Sequence, residues 1–140
     1  MTLRQKILIG LIGVAGLVLL VPACSRSPMK TRYDIGFVNK TGHDLDGVCA
    51  YYGDTKVAQP SWLGKGDKAT EGWVPMPIPS EAEVRWEENG THHAVKDKLE
   101  GVVTPGLDRF TLYFIIKADG SVDVKAIKLS DIDANANVTK

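Results

Sequence analysis

Arg109-Phe110-Thr111-Leu112-Tyr113-Phe114-Ile115-Ile116-Lys117, then Ala118-Asp119-Gly120, then Ser121-Val122-Asp123-Val124-Lys125-Ala126-Ile127-Lys128-Leu129, is the stretch that decides the fold. β-Branched and aromatic residues fill both arms, and the turn residues between them make it a hairpin. A two-residue turn would set Asp123 against Ile116 and Lys125 against Phe114, placing charge on the apolar face. A three-residue loop with Gly120 in the left-handed position instead pairs Ile116 with Val122, Phe114 with Val124 and Leu112 with Ala126. The three-residue loop is therefore expected. Arg109–Lys117 is apolar on its second face too, through Tyr113 and Ile115, which marks a central strand covered from both sides.

A second hairpin forms around Asn89-Gly90, the dipeptide best suited to the positive φ angles of a type I′ turn. Counting back from it, Glu88 faces Thr91, Trp86 faces His93 and Val84 faces Val95, while Glu87 faces His92 and Arg85 faces Ala94. Further strands are expected at Tyr33–Asn39, Gly47–Tyr52 and Gly72–Met76, with Glu83–Glu88, Thr91–Lys96, Arg109–Lys117 and Ser121–Leu129 completing the set. No window of a dozen residues past position 30 keeps a helical apolar stripe free of Gly or Pro. The fold class that follows is all-β: an antiparallel β-sandwich or strongly curved sheet of about seven short strands. Between Gly53 and Pro79 the glycines and prolines predict a long irregular connection with one short strand at most. Pro75-Met76-Pro77-Ile78-Pro79 should be extended and solvated, or should run along an edge, because proline cannot donate to a ladder.

The amino terminus has a different texture. Arg4 and Lys6 precede an uncharged apolar run, Ile7 to Val21, that ends in Pro22-Ala23-Cys24. That order of charge, greasy segment and small residue is the order of a secretory signal. The run is short of the roughly 20 apolar residues that span a bilayer, and Pro22 would break a permanent helical anchor. Val21-Pro22-Ala23-Cys24 resembles the lipobox of bacterial lipoproteins, which implies that Cys24 is lipidated and becomes the first residue of the mature chain. Ser25, rather than Asp, follows it, and by resemblance to Gram-negative sorting this favours the outer membrane, with the domain facing the periplasm. The expected organisation is a signal peptide over 1–23, a flexible tether over 24–31, a β domain over 32–130 and a loose polar tail over 131–140.

Removing residues 1–23 of 140 leaves 117, enough for one core. The mature part keeps 15 of the 17 basic and all 17 acidic residues, a net charge near −2, so no concentrated basic face recommends nucleic acid as a partner. With Cys24 lipidated, Cys49 has no disulfide partner, and its apolar surroundings, Val48 to Tyr52, make it a buried inert thiol. Tyr51 and Tyr52 point to alternate faces, one inward and one outward. The nucleophile elbow Gly-x-Ser-x-Gly is absent. Gly64-Lys65-Gly66-Asp67-Lys68 lacks the ending and following helix of a phosphate loop. His92 and His93, adjacent on a strand, point to opposite faces and cannot share one metal ion. His43 with Asp44 and Asp46 reads as a solvated turn before it reads as a metal or acid–base cluster. Glu81, Glu83, Glu87 and Glu88 suit a solvated strand edge. No catalytic residue, metal or cofactor is expected.

A binding role remains. Trp62 and Trp73 stand among charges in the Gly/Pro-rich segment, where they either anchor a protein partner or fold back over an open end of the sheet. The expected contact surface is Trp62 and Trp73 together with the hairpin tip Glu87, Glu88, Asn89 and Gly90. Phe37-Val38-Asn39-Lys40-Thr41-Gly42, followed about 45 residues later by Val84-Arg85-Trp86-Glu87, resembles a group of small Gram-negative lipoproteins. Members of that group are frequently immunity proteins for phospholipase toxins of the type VI secretion system. The resemblance implies a non-enzymatic, membrane-tethered protein whose partner is a cognate lipase effector that it binds and blocks. The alternatives are a structural or assembly lipoprotein of an envelope machine, and a small-ligand or metal binder using the His43 region.

Overall fold

In the computed structural model, which describes residues 32–132, Arg109–Lys117 lies in the middle of a sheet with its inward residues Phe110, Leu112, Phe114 and Ile116 wholly buried. The elements in chain order are β1 (Arg32–Lys40), β2 (Leu45–Tyr52), β3 (Thr55–Leu63), β4 (Lys68–Val74), β5 (Glu81–Glu88), β6 (Thr91–Lys98), β7 (Arg109–Lys117) and β8 (Val122–Lys128). A single helical turn, α1 (Leu129–Ile132), follows, where the sequence suggested the start of a loose tail. The leader, Cys24, the tether and residues 133–140 of the tail lie outside the described residues.

Two four-stranded sheets face each other, one in the order β4-β1-β7-β8 and the other in the order β3-β2-β5-β6. The fold is an all-β sandwich. One pair departs from antiparallel: β1 and β7 run side by side in parallel, from Arg32 with Arg109 to Lys40 with Lys117. Both hairpins take the registers read from the sequence. Ile116 pairs with Val122, Phe114 with Val124 and Leu112 with Ala126, and Gly120 closes the loop at φ 78°. Trp86 pairs with His93 and Glu87 with His92, around Asn89 and Gly90 at φ 50° and 77°.

The core lies between the sheets. Tyr33 stacks on Phe110 at 5.4 Å and Phe37 leans on Phe114 at 5.8 Å within the first sheet. Leu45, Val48, Ala50, Val84 and Trp86 come to meet them from the second. The Tyr33 hydroxyl donates to that of Tyr52 at 3.2 Å and so ties the two sheets together. Burial pushes both phenols above their ordinary ionisation range. The outer face of β7 is covered as well, since Thr111 and Tyr113 are buried. The edge of the Tyr113 ring lies against Gly36 of β1, where any Cβ would collide with it.

The segment Gly53–Pro79 corrects the sequence reading, because it holds two strands, β3 and β4, in place of a long irregular connection. The reason is their position. Both are edge strands, β3 of one sheet and β4 of the other, so half their backbone faces solvent and Pro60 is tolerated in the ladder. Each is also irregular, with one register shift between β4 and β1 and three between β3 and β2, which breaks the alternation by which strands are recognised. From Pro75 to Pro79 the chain crosses between sheets, with Met76 and Ile78 turned onto the core.

Candidate functional site

The two exposed tryptophans owe their exposure to the same local device. In β3, Ala58 and Pro60 alternate inward, which would send Trp62 into the core. Ser61 instead adopts φ 67°, the register against β2 shifts, and Leu63 takes the inward place while Trp62 turns out. In β4 the register against β1 slips between Tyr33–Val74 and Ile35–Glu71, and Trp73 sits at φ 57° so that Val74 turns inward in its stead. These are β-bulges, which edge strands use to re-aim a side chain. A positive φ is unusual for a bulky residue and costs energy. The outcome is Trp62 at 55% exposure and Trp73 at 59%. Neither folds back over the end of its sheet.

Around Trp62 the second sheet builds a row of side chains on its outer face. Asp46 of β2 is the register partner of Trp62 on one side and of Glu87 on the other, and Glu87 is the partner of His92. The His92 Nδ1 lies 3.4 Å from Glu87. One residue on, Glu88 meets His43 Nδ1 at 2.8 Å, which fastens the hairpin tip to the β1–β2 turn. Asp44 accepts the Lys65 backbone N–H at 2.8 Å, and Asp46 lies in the row between Trp62 and Glu87. Among the described residues, no three His, Cys, Asp or Glu side chains are placed to hold one metal ion.

Asn39, fully buried, organises the turns at this end. Its Nδ2 donates to the carbonyls of His43, Leu63 and Gly64, and its Oδ1 accepts from Thr41 N and Oγ1. The β1–β2 and β3–β4 turns are thereby clamped together behind Trp62. The sequence marks this residue only as part of the Phe37–Gly42 stretch, because the clamp is completed by long-range bonds to Leu63 and Gly64.

Next to the Trp62 row, a shallow hollow opens over Cys49, Arg85 and Ala94. Cys49 is buried on this outward side of β2 opposite Arg85, whose guanidinium bonds Glu83 and lies 4.2 Å over the ring of Tyr51. The Glu83 bond holds Arg85 more firmly in its charged form. Tyr51 is half-buried here, while Tyr52 points into the core. His93 faces the other way and stacks on Trp86 at 4.9 Å.

The surface expected from the sequence therefore divides. Trp62, Glu87, Glu88, Asn89 and Gly90 share the far end of the sandwich, where β1 finishes. Trp73 sits at the near end, where β1 starts, against Arg32 at 5.5 Å. Nine residues of β1 separate the two ends, roughly 30 Å at about 3.3 Å per residue.

No family model matches the chain, and no curated protein matches it. A solved structure that resembles it is that of a protein from Eubacterium rectale determined by NMR, 12% identical over 71% of this chain and 90% of that one, with a TM-score of 0.45. A likeness that slight has no bearing on function.

Proposed function

We propose that this chain is a lipid-tethered, protein-binding module of the periplasm that neutralises a phospholipase toxin by occupying its surface. The observation that carries the binding reading is Trp62, a large aromatic held outside by a strained bulge on a rigid sheet beside an acidic hairpin tip. Tryptophans in such settings are the residues most often found to dominate tight protein interfaces. The far end also lies opposite the place where the chain runs into β1, so a tether through Cys24 would attach at the end of the domain remote from Trp62 and Glu87–Gly90. Ser25 after Cys24 supports the outer membrane as the site of attachment.

The toxin as partner rests on the resemblance carried by Phe37–Gly42 and Val84–Glu87. A tether suits that task physically, because it confines the inhibitor to the membrane the enzyme attacks and raises its effective concentration there. The test is to mix the protein with the lipase encoded beside its gene and measure complex formation and phospholipase activity. Stoichiometric loss of activity is expected. Full activity at excess inhibitor rejects the neutralising role and favours an assembly lipoprotein.

A further inference from the structure

The near end carries a second exposed surface whose chemistry differs from that of the Trp62 end. Arg32 and Arg109 are register partners at the start of the parallel strands β1 and β7. The Arg32 guanidinium lies 5.5 Å from the Trp73 ring centre, and on the other side both arginines share a shallow hollow with Leu129, itself 46% exposed. Trp73, Arg32, Arg109 and Leu129 thus make one strip across the end of the first sheet. Of the three large apolar side chains exposed among the described residues, two belong to this strip. Among those residues no carboxylate lies within ion-pair distance of either arginine. Asp34, which also lines the hollow, turns one oxygen to the Trp73 backbone N–H at 2.7 Å.

Arginine beside exposed tryptophan and leucine is the composition of a bilayer interface. The indole ring settles at headgroup depth, and guanidinium bonds phosphate oxygens in pairs. The length of chain ahead of β1 says which surface this strip can reach. Arg32 follows Cys24 by eight residues, and a fully extended chain covers at most about 3.6 Å per residue, so a lipidated Cys24 holds the strip within roughly 29 Å of the membrane.

We propose that Trp73, Arg32, Arg109 and Leu129 form a bilayer-contact face that binds anionic phospholipid headgroups, the arginines on phosphates and the two apolar side chains at the level of the headgroups. This rests on the reading of Cys24 as the lipidated residue. Acyl chains alone would leave the domain free to turn on its tether. A second, oriented contact fixes the near end to the lipid and keeps Trp62 facing outward.

The test uses the full-length protein purified from membranes, weighed by mass spectrometry for acyl chains, and mixed with vesicles of phosphatidylglycerol and phosphatidylcholine brominated near the headgroup. Part of the tryptophan emission should be quenched. That part should vanish in Trp73→Phe, persist in Trp62→Phe, and fall at least about twofold in Arg32→Gln/Arg109→Gln or in phosphatidylcholine alone. An acylated protein with no quenching, or with equal quenching in Trp73→Phe, overturns the contact face and leaves the anchor standing. Trp73-dependent quenching of a protein without acyl chains supports the face and removes the anchor, while neither signal removes both. If Trp73→Phe weakens binding to the lipase and quenching is absent, the strip belongs to the protein partner and the lipid proposal falls.

Discussion

Replacing Asn39 by Ala should cost about 4 kcal/mol of folding stability. The side chain is wholly buried and makes five contacts: His43 O at 2.6 Å, Leu63 O and Gly64 O at 3.0 Å, Thr41 N at 3.0 Å and Thr41 Oγ1 at 2.9 Å. Two amide protons serve three carbonyls, so the donated bonds count as two and the accepted bonds as two more. At about 1 kcal/mol net for each, four bonds give about 4 kcal/mol, a large share of the 5–15 kcal/mol that holds a typical domain together. Urea unfolding followed by tryptophan fluorescence measures it, with the midpoint falling at unchanged slope. Asn39→Asp separates the clamp from a simple turn. A carboxylate still accepts from Thr41 but cannot donate, and it sets negative charge against three carbonyl oxygens, so it should be at least as damaging as Ala. A loss below about 1 kcal/mol in Asn39→Ala, or full stability in Asn39→Asp, would refute the reasoning.

Gly36→Ala should destabilise by about 2 kcal/mol, since the new methyl must displace the Tyr113 ring and also meets Thr111 Cγ2 at 3.1 Å. Combination with Tyr113→Leu should recover part of that loss in the same urea assay. Stability should also fall as the pH climbs past about 10. Burial keeps the Tyr33 and Tyr52 phenols protonated in the fold after the unfolded chain has begun to lose those protons, so their contribution is complete below pH 10 and fades above it. Thermal unfolding between pH 8 and 11.5 should show this fall, and a slope unchanged in Tyr33→Phe/Tyr52→Phe would contradict it. Trp62→Ala should weaken a protein complex by about 2 kcal/mol or more by calorimetry, while Trp73→Ala leaves that affinity unchanged.

Where local patterning and tertiary demand agreed, the sequence was legible down to single register positions. Asn89-Gly90 and Ala118-Asp119-Gly120 each admit one turn geometry that keeps apolar residues on a common face, and both hairpins adopt it. The parallel pairing of β1 with β7 could not be read, because nothing in either strand records which neighbour lies beside it across some seventy residues of chain. The bulged edges hid β3 and β4 for a related reason. A strand that flips face at Ser61 or Trp73 loses the period of two by which it is detected. The same flips expose both tryptophans, so what concealed the strands also created the candidate surface. Trp62 and Trp73 stand eleven residues apart in the chain, yet they flank opposite ends of adjoining edge strands, a separation that only the register reveals.

The stretches Phe37–Gly42 and Val84–Glu87 are largely architectural. Phe37 and Val38 are core or nearly so, Asn39 and Thr41 build the buried clamp, and in Val84-Arg85-Trp86-Glu87 the alternate residues Val84 and Trp86 face the core. Of the outward residues in these stretches, Glu87 joins the row beside Trp62 through Asp46. On the proposed binding reading, partner contact falls on what the clamp supports: Trp62, Asp46, Glu87 and the Asn89-Gly90 tip. This links the stability and binding predictions. Asn39→Ala should loosen the turns behind Trp62 and so lower partner affinity even where the domain stays folded, whereas a substitution of equal cost at Tyr33, at the opposite end, should leave affinity intact. Equal losses of affinity in both variants would mean that Trp62 is not held in its binding pose by the clamp.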